Sequence, residues 1–224
     1  MIEKYKAVIF DWDGTLVDSV EWVLGAHNHV RTNMGMIPWT REDLFGCSSR
    51  SSRETYPDVY GDRSGEALEM LYEYTSTQHL ESAIPFTGAE QVLEAIAGKS
   101  IKMGVVSNKR HEQLNETIDH LGWRKYFVSS IGAGHAPNDK PAPDSLLMAI
   151  EEVSVNYAPS DVLYVGDTET DLLCAQNAGC PSIFIQSHEP RPDLIEKYKP
   201  VCSYHDIQAF LDDLMSPMAV NKAC

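Results

Sequence analysis

The sequence predicts an α/β protein: a parallel sheet covered by helices and interrupted near its start by a helical insertion. Three observations carry that expectation. Short apolar runs alternate with helical stripes over most of the 224 residues, the pattern of a parallel sheet covered on both faces. The alternation stops over residues 20–84, where helical stretches occur without a convincing strand. The first apolar run, Ala7–Phe10, leads straight into Asp11 and Asp13 of "FDWDGTLVDS", although carboxylates that close repel unless a cation or a reaction compensates.

Taken in order, the expected strands are Ala7–Phe10, Met103–Ser107, Tyr126–Ile131, Val162–Val165 and Ser182–Ile185. Between them, Val92, Leu93 and Ile96 form a helical stripe that Gly98 can end, and Leu114, Ile118 and Leu121 do the same before Gly122. Leu146, Leu147 and Ile150 follow Pro143, a good first-turn residue, and Leu172 and Leu173 lead towards a stop at Gly179. The insertion offers helices at Val20–Met36, Thr40–Phe45 and Ser64–Leu80, the last with Leu68, Leu71, Tyr72 and Thr75 on one face. Hinges are expected near Val17–Ser19 and Ile84–Gly88. The domain reading is a Rossmann-like core of residues 1–18 and 85–224 with a helical cap of 19–84. Ile207, Phe210, Leu211 and Leu214 mark a last helix, and residues 216–224 read as a frayed tail.

Composition narrows the function. With 18 Lys and Arg against 33 Asp and Glu, the net charge is −15, which argues against a nucleic-acid partner, since phosphate backbones are bound by a basic surplus. Five scattered cysteines without a CxxC pair read as reduced thiols. No run approaches the roughly 18 apolar residues of a membrane helix, and the N-terminus carries no apolar leader. The expectation is a cytoplasmic protein, monomer or homodimer, with no membrane partner.

The polar residues of interest fall after strands: Asp11 and Asp13 after the first, Ser107-Asn108 after the second, and "GDTETD" (166–171) after a later one. In open α/β sheets, sites gather outside the carboxyl ends of strands, so these segments should converge. Period-two geometry points Asp11 and Asp13 the same way and Trp12 into packing. Asp11, Asp13, Asp167 and Asp171 would then crowd one cleft, and Mg²⁺ suits such an oxygen-rich, partly hydrated site. Lys140 of "DKPAPD" is kept out of a helix by Pro141 and can be presented from an extended loop. Ser107-Asn108, ahead of a helix, suits an anion. Carboxylates, a metal, one lysine and an anion cradle describe phosphoryl transfer.

"DWDGTLVDS", "VVSN", "KPAPD" and "VGDTETD" resemble, in order, the four motifs of the haloacid dehalogenase superfamily, over residues 7–190. The best-fitting subgroup is the phosphoglycolate-phosphatase-like hydrolases, which carry a helical cap after the first strand. The resemblance implies that Asp11 is the nucleophile, forming an aspartyl-phosphate, and that Asp13 is the acid and base. It implies Mg²⁺ held by the Asp11 carboxylate, the Asp13 backbone carbonyl and Asp167, with Ser107, Asn108 and Lys140 on the phosphoryl oxygens. Asp171 would orient Lys140 or a metal-bound water. The namesake dehalogenases lack an acid/base carboxylate two residues after the nucleophile, so Asp13 favours a phosphate ester.

The implied function is a Mg²⁺-dependent phosphatase for a small phosphorylated metabolite of the phosphoglycolate or sugar phosphate class. A phosphomutase of the β-phosphoglucomutase type shares the aspartate pair and the cap, and a non-catalytic binding protein is the remaining alternative. An EF-hand loop fails, because Leu16 and Trp22 stand where glycine and glutamate are needed. The absence of an HExxH spacing disfavours a zinc site, and the absence of G-x-S-x-G and P-loop patterns disfavours serine hydrolases and P-loop enzymes. His27 and His29 read as surface residues. The stretch "GCSSRSSRE" (46–54) reads as a polar loop of the cap holding Arg50 and Arg53, and Arg50 is the candidate for reading a leaving-group carboxylate.

Overall fold

The structure, a computed structural model, describes residues 1–47 and 50–216, apart from the side chains of Cys47 and Gln78. The expected tail from 217 onward, and Ser48 and Ser49 of the polar stretch, lie outside the described residues.

Strand β1 (Ala7–Phe10) pairs in parallel with β4 (Lys102–Arg110) on one side and β6 (Val162–Gly166) on the other. With β5 (Phe127–Ala133), β7 (Ser182–Ile185) and β8 (Cys202–Tyr204), they form a six-stranded parallel sheet ordered β5-β4-β1-β6-β7-β8. Chain order runs outward from β1 in both directions, so the topological switch lies at the carboxyl end of β1, the place where such sheets open a crevice. The continuous apolar run of β1 follows from burial on both faces. Val8 and Phe10 join one core cluster, and Ala7 and Ile9 join the other. Trp12 continues the first face, fully buried with its ring edge-on to Trp123 at 5.7 Å, as its parity requires.

Helices α5 (Ala89–Gly98), α6 (His111–His120), α7 (Asp144–Val153), α8 (Glu169–Ala178), α9 (Pro192–Tyr198) and α10 (Ile207–Met215) accompany the sheet. The insertion holds α1 (Val20–Asn33), α2 (Arg41–Cys47), α3 (Ser52–Tyr60) and α4 (Ser64–Gln78), around a small core of Ala26, Val30, Tyr56, Ala67 and Leu71. A short antiparallel ribbon, β2 (Val17–Asp18) with β3 (Ile84–Pro85), ties the two crossings between insertion and sheet together.

Several expectations change. The second strand does not end at Ser107 but runs through an irregular register to Arg110, because Arg110 regains pairing with Ala133. The polar stretch is helical over most of its described residues: α2 carries Gly46 and Cys47, and α3 begins at Ser52, after Ser51 at the N-cap position without a side-chain capping bond. Leu147 is exposed, and Leu146, Ala149, Ile150 and Val153 form the buried stripe of α7. His27 is not a surface residue; its Nδ1 lies 2.9 Å from the Tyr56 hydroxyl and its ring 5.2 Å from that of Trp39. Strand β8 and helix α9 have no counterpart in the sequence reading. Each is short, and their apolar content is too sparse to set a period. Among the described residues, no helix is long and apolar enough to cross a membrane.

Candidate active site

The crevice at the end of β1 collects side chains from four distant segments. Asp11 N donates to the Val165 carbonyl at 2.8 Å, so sheet pairing extends one residue past β1 and fixes where the carboxylate emerges. Asp11 is 4% exposed, and its Oδ1 accepts from Lys140 Nζ at 2.6 Å. The same ammonium reaches Asp171 Oδ1 at 2.7 Å and the Tyr164 hydroxyl at 3.1 Å. Read in isolation, Lys140 would be an exposed loop lysine; it is 3% exposed. Asn108 Nδ2 donates to the Lys140 carbonyl at 3.0 Å, tying the end of β4 to the lysine loop. Ser107 is buried at the same end, its Oγ accepting from Lys109 N.

Asp167 and Asp171 are presented by the turn from β6 into α8. Asp171 caps that helix: its Oδ2 accepts from Thr168 N at 3.0 Å and Thr168 Oγ1 at 2.6 Å, which leaves Oδ1 for Lys140. Thr15 Oγ1 donates to Asp167 Oδ1 at 2.9 Å and stands 3.5 Å from Asp11 Oδ2. Gly14, between the aspartate pair and Thr15, has φ +89°, and a Cβ there would lie 2.3 Å from Asp167 Oδ2. Only glycine allows that turn and that approach together.

Charge in the crevice is unbalanced. Burial first, then the Asp171 carboxylate, pushes Asp11 up to about 7 despite Lys140. Asp167 is raised well above the usual carboxylate range by burial and by Asp11 and Asp171. Burial also works against Asp171, but Lys140 and Thr168 outweigh it and hold that carboxyl below its ordinary value. Burial alone would lower Lys140; Asp11 and Asp171 together overcome it and keep the ammonium charged. With all four carboxylates (Asp11, Asp13, Asp167, Asp171) ionised against the two ammoniums Lys140 and Lys109, two negative charges would be left over, and burial and this excess together raise Asp11 and Asp167. Oxygens of Asp11, Asp167 and Asp171 lie within 4.8 Å of one another. A hard divalent cation fits this donor set in charge and in ligand type.

Three features were not legible in the sequence. Lys109, 6% exposed at its side chain, stands 3.4 Å from Asp13 Oδ1 and 4.7 Å over the Trp22 ring. His188 Nε2 lies 3.7 Å from Asp167 Oδ2, and its ring packs on Phe45. Arg53 bridges to Asp139 at 2.6 and 3.1 Å, joined by Ser51 Oγ at 2.6 Å, so the insertion is bonded to the residue preceding Lys140. Each contact joins residues far apart in sequence, which no local pattern reports. Arg50 lines the same cavity but pairs with Asp58 at 2.5 Å within the insertion.

Asp11 buried at a strand end, Lys140 bridging it to Asp171, and Asp167 beside them form an acidic crevice whose oxygen donors would suit a divalent cation. The haloacid dehalogenase-like hydrolase family model matches residues 8–185, and the chain belongs to that family. Phosphoglycolate phosphatase of Escherichia coli strain K12 is 27% identical over 247 residues, covering 98% of this chain and 96% of that one. Phosphoglycolate phosphatase of Xylella fastidiosa strain Temecula1 is 31% identical over 197 residues, covering 84% of each. The solved structure of a haloacid dehalogenase-like hydrolase from Bacteroides fragilis superposes with a TM-score of 0.83 at 21% identity, over 91% of this chain and 98% of that one. The fold is therefore that of the family, and the chain is an enzyme of it.

Gly14→Ala is expected to weaken Mg²⁺ binding by about 10–100-fold, the usual range when the support of a metal ligand is disturbed. The added methyl must displace the Asp167 carboxylate. Calorimetric Mg²⁺ titration checks it, and unchanged affinity would show that Asp167 is not held by this contact.

Proposed function

We propose that the chain is a Mg²⁺-dependent phosphatase for small phosphate monoesters, working through an aspartyl-phosphate on Asp11. The observation that carries the reading is the convergence of Asp11, Asp13, Lys140 and Asp167 at one strand end, with Asp11 bonded to Lys140. Asp11 attacks phosphorus; the bond from phosphorus to the alcohol oxygen breaks, and Asp13 gives that oxygen its proton. Asp13 then takes a proton from water as the water oxygen attacks the same phosphorus, releasing inorganic phosphate and restoring Asp11. Lys140 and Ser107 hold the phosphoryl oxygens, while Asn108 holds the lysine loop through its carbonyl. Lys109 steadies Asp13, and Asp171 orients Lys140. The Asp11 and Asp167 carboxylates and the Asp13 carbonyl would hold the divalent cation, which would supply charge neutralisation to the transferring group.

The phosphoglycolate phosphatases among the relatives support a small phosphate monoester, and Arg50 could serve an acidic leaving group only in competition with Asp58. A phosphomutase needs a second phosphate site across the cavity. Arg50 and Arg53 are each already paired with a carboxylate, which favours hydrolysis.

Phosphate release from a monoester panel tests the reading. Activity is expected to vanish in chelator, return with Mg²⁺ and recover poorly with Ca²⁺, which prefers more ligands at longer distance. Asp13→Asn is expected to lose about 10²–10⁴-fold or more, since one group serves two proton transfers. Equal turnover in excess chelator would remove the metal from the reaction, and isomerisation without phosphate release would make the chain a mutase.

A further inference from the structure

The phosphoryl crevice opens into one cavity between sheet and insertion, about 450 Å³ in all. That falls within the range of roughly 300–1,000 Å³ that encloses a ligand of many atoms, more than a phosphoryl group with a two-carbon acid requires. The insertion contributes apolar and aromatic side chains to its lining, among them Trp22, Val23, Trp39, Leu44, Phe45 and Tyr56.

Two of these rings are anchored to the catalytic carboxylates. Trp22 is half-buried, one turn into α1, and carries Lys109 over its ring at 4.7 Å; Lys109 in turn touches Asp13, the acid on the leaving group. Phe45 is 38% exposed and packs at 5.0 Å on His188, which stands beside Asp167. The rings thus stand within one residue's reach of the two aspartates that flank the nucleophile.

Charge tells against an acidic leaving group. Each of the five lysines and arginines lining the cavity among the described residues is paired with a carboxylate, including Arg110 with Glu112 at 3.3 Å. A substrate carboxylate would have to compete for, or share, a cation already paired, inside a chain of net charge −15. A planar uncharged ring asks for no such exchange, and gains from burial and from offset or edge contacts with aromatic faces.

We infer that this enzyme prefers phosphate monoesters whose alcohol carries a planar, uncharged aromatic ring, bound against Trp22 and Phe45; the inference rests on the phosphatase reading for its chemistry. Specificity then lies in the insertion, and it departs from the acidic two-carbon substrate named for the curated relatives.

The test compares 2-naphthylmethyl phosphate, n-propyl phosphate and phosphoglycolate with Mg²⁺ present. The first two are esters of primary alcohols, so intrinsic leaving-group reactivity is similar and a difference in kcat/KM reports the subsite. The ring-bearing ester is expected to exceed each of the others at least tenfold. That ratio should collapse towards one in Trp22→Leu and in Phe45→Ala, mainly through KM, and be retained in Trp22→Phe. A calorimetric comparison of 2-naphthylmethylphosphonate with propylphosphonate needs no turnover. Tighter binding of the ring there, with no ester hydrolysed, supports the subsite and defeats the phosphatase reading instead. Equal kcat/KM and equal phosphonate affinities overturn the inference, as does a preference for phosphoglycolate that Arg50→Ala removes.

Discussion

Asp11→Asn is expected to abolish phosphate release while leaving a metal-free protein that melts higher than the wild type. The lost activity follows from chemistry, since an amide oxygen is not a competent nucleophile at phosphorus. The gain in stability follows from the charges around it. Asp11 ionises in a dry crevice beside Asp171, and burial with that neighbour raises it to about 7 from an ordinary 3.8. A carboxyl raised in the folded state binds more protons folded than unfolded, so its share of stability is present at low pH and lost as pH rises from about 4 through 7. Asn keeps the shape and carries no charge to lose. The difference in melting temperature, variant minus wild type in chelator, should be small near pH 4 and full above pH 7. At this chain length, each kcal/mol moves the midpoint by about 2–4 °C. Comparing the two proteins at each pH matters because His27, lowered to about 4 by burial and by Arg31, loses stability on acidification in both. Mg²⁺ should stabilise the wild type far more than the variant. A variant that melts below the wild type at pH 8 in chelator would mean that the Lys140 pair outweighs the repulsion, and near-normal turnover would end the covalent mechanism.

Lys140→Met is expected to have the largest structural effect of any single change in the crevice, together with loss of activity by at least about 10²-fold through missing charge stabilisation. Its ammonium is the shared partner of Asp11 Oδ1 and Asp171 Oδ1, both almost fully buried. Deleting one partner of a buried ion pair strands the other charge and costs about 3–5 kcal/mol. Here two carboxylates are stranded, so the denaturant midpoint in chelator should fall sharply. Adding Asp171→Asn to Lys140→Met should recover part of the loss, because one stranded charge is removed. A single variant that unfolds at the wild-type denaturant concentration would show that the carboxylates take up protons at little cost and that Lys140 is not the keystone of the crevice.

These effects depend on groups whose types were readable early and whose relations were not. The apolar run Ala7–Phe10 followed by aspartates at positions 11 and 13 announces a buried strand ending in charge, and period two assigns Trp12 to the core, where it lies against Trp123. "GDTETD" likewise shows carboxylates gathered directly after a strand. By contrast, the polar stretch 46–54 reads as a loop because its serines and arginines lack an apolar period. α3 forms there with Tyr56 as its buried residue, and the residue that crosses to the Lys140 loop is Arg53 rather than Arg50.

What the sequence determined by itself is the alternation of strands and helices, the interruption after β1, and the inventory of carboxylates and lysine at strand ends. Each is written in residues a few positions apart, where periodicity and side-chain type act. Only the tertiary structure decided that Lys140 is buried between Asp11 and Asp171, across sequence separations of 129 and 31 residues. Only it decided that Lys109 lies between Trp22 and Asp13, and that Arg53 meets Asp139 across 86. The physical reason is that burial and pairing energies belong to positions in space. A lysine in a loop carries no local mark of the low-dielectric crevice into which the sheet folds it.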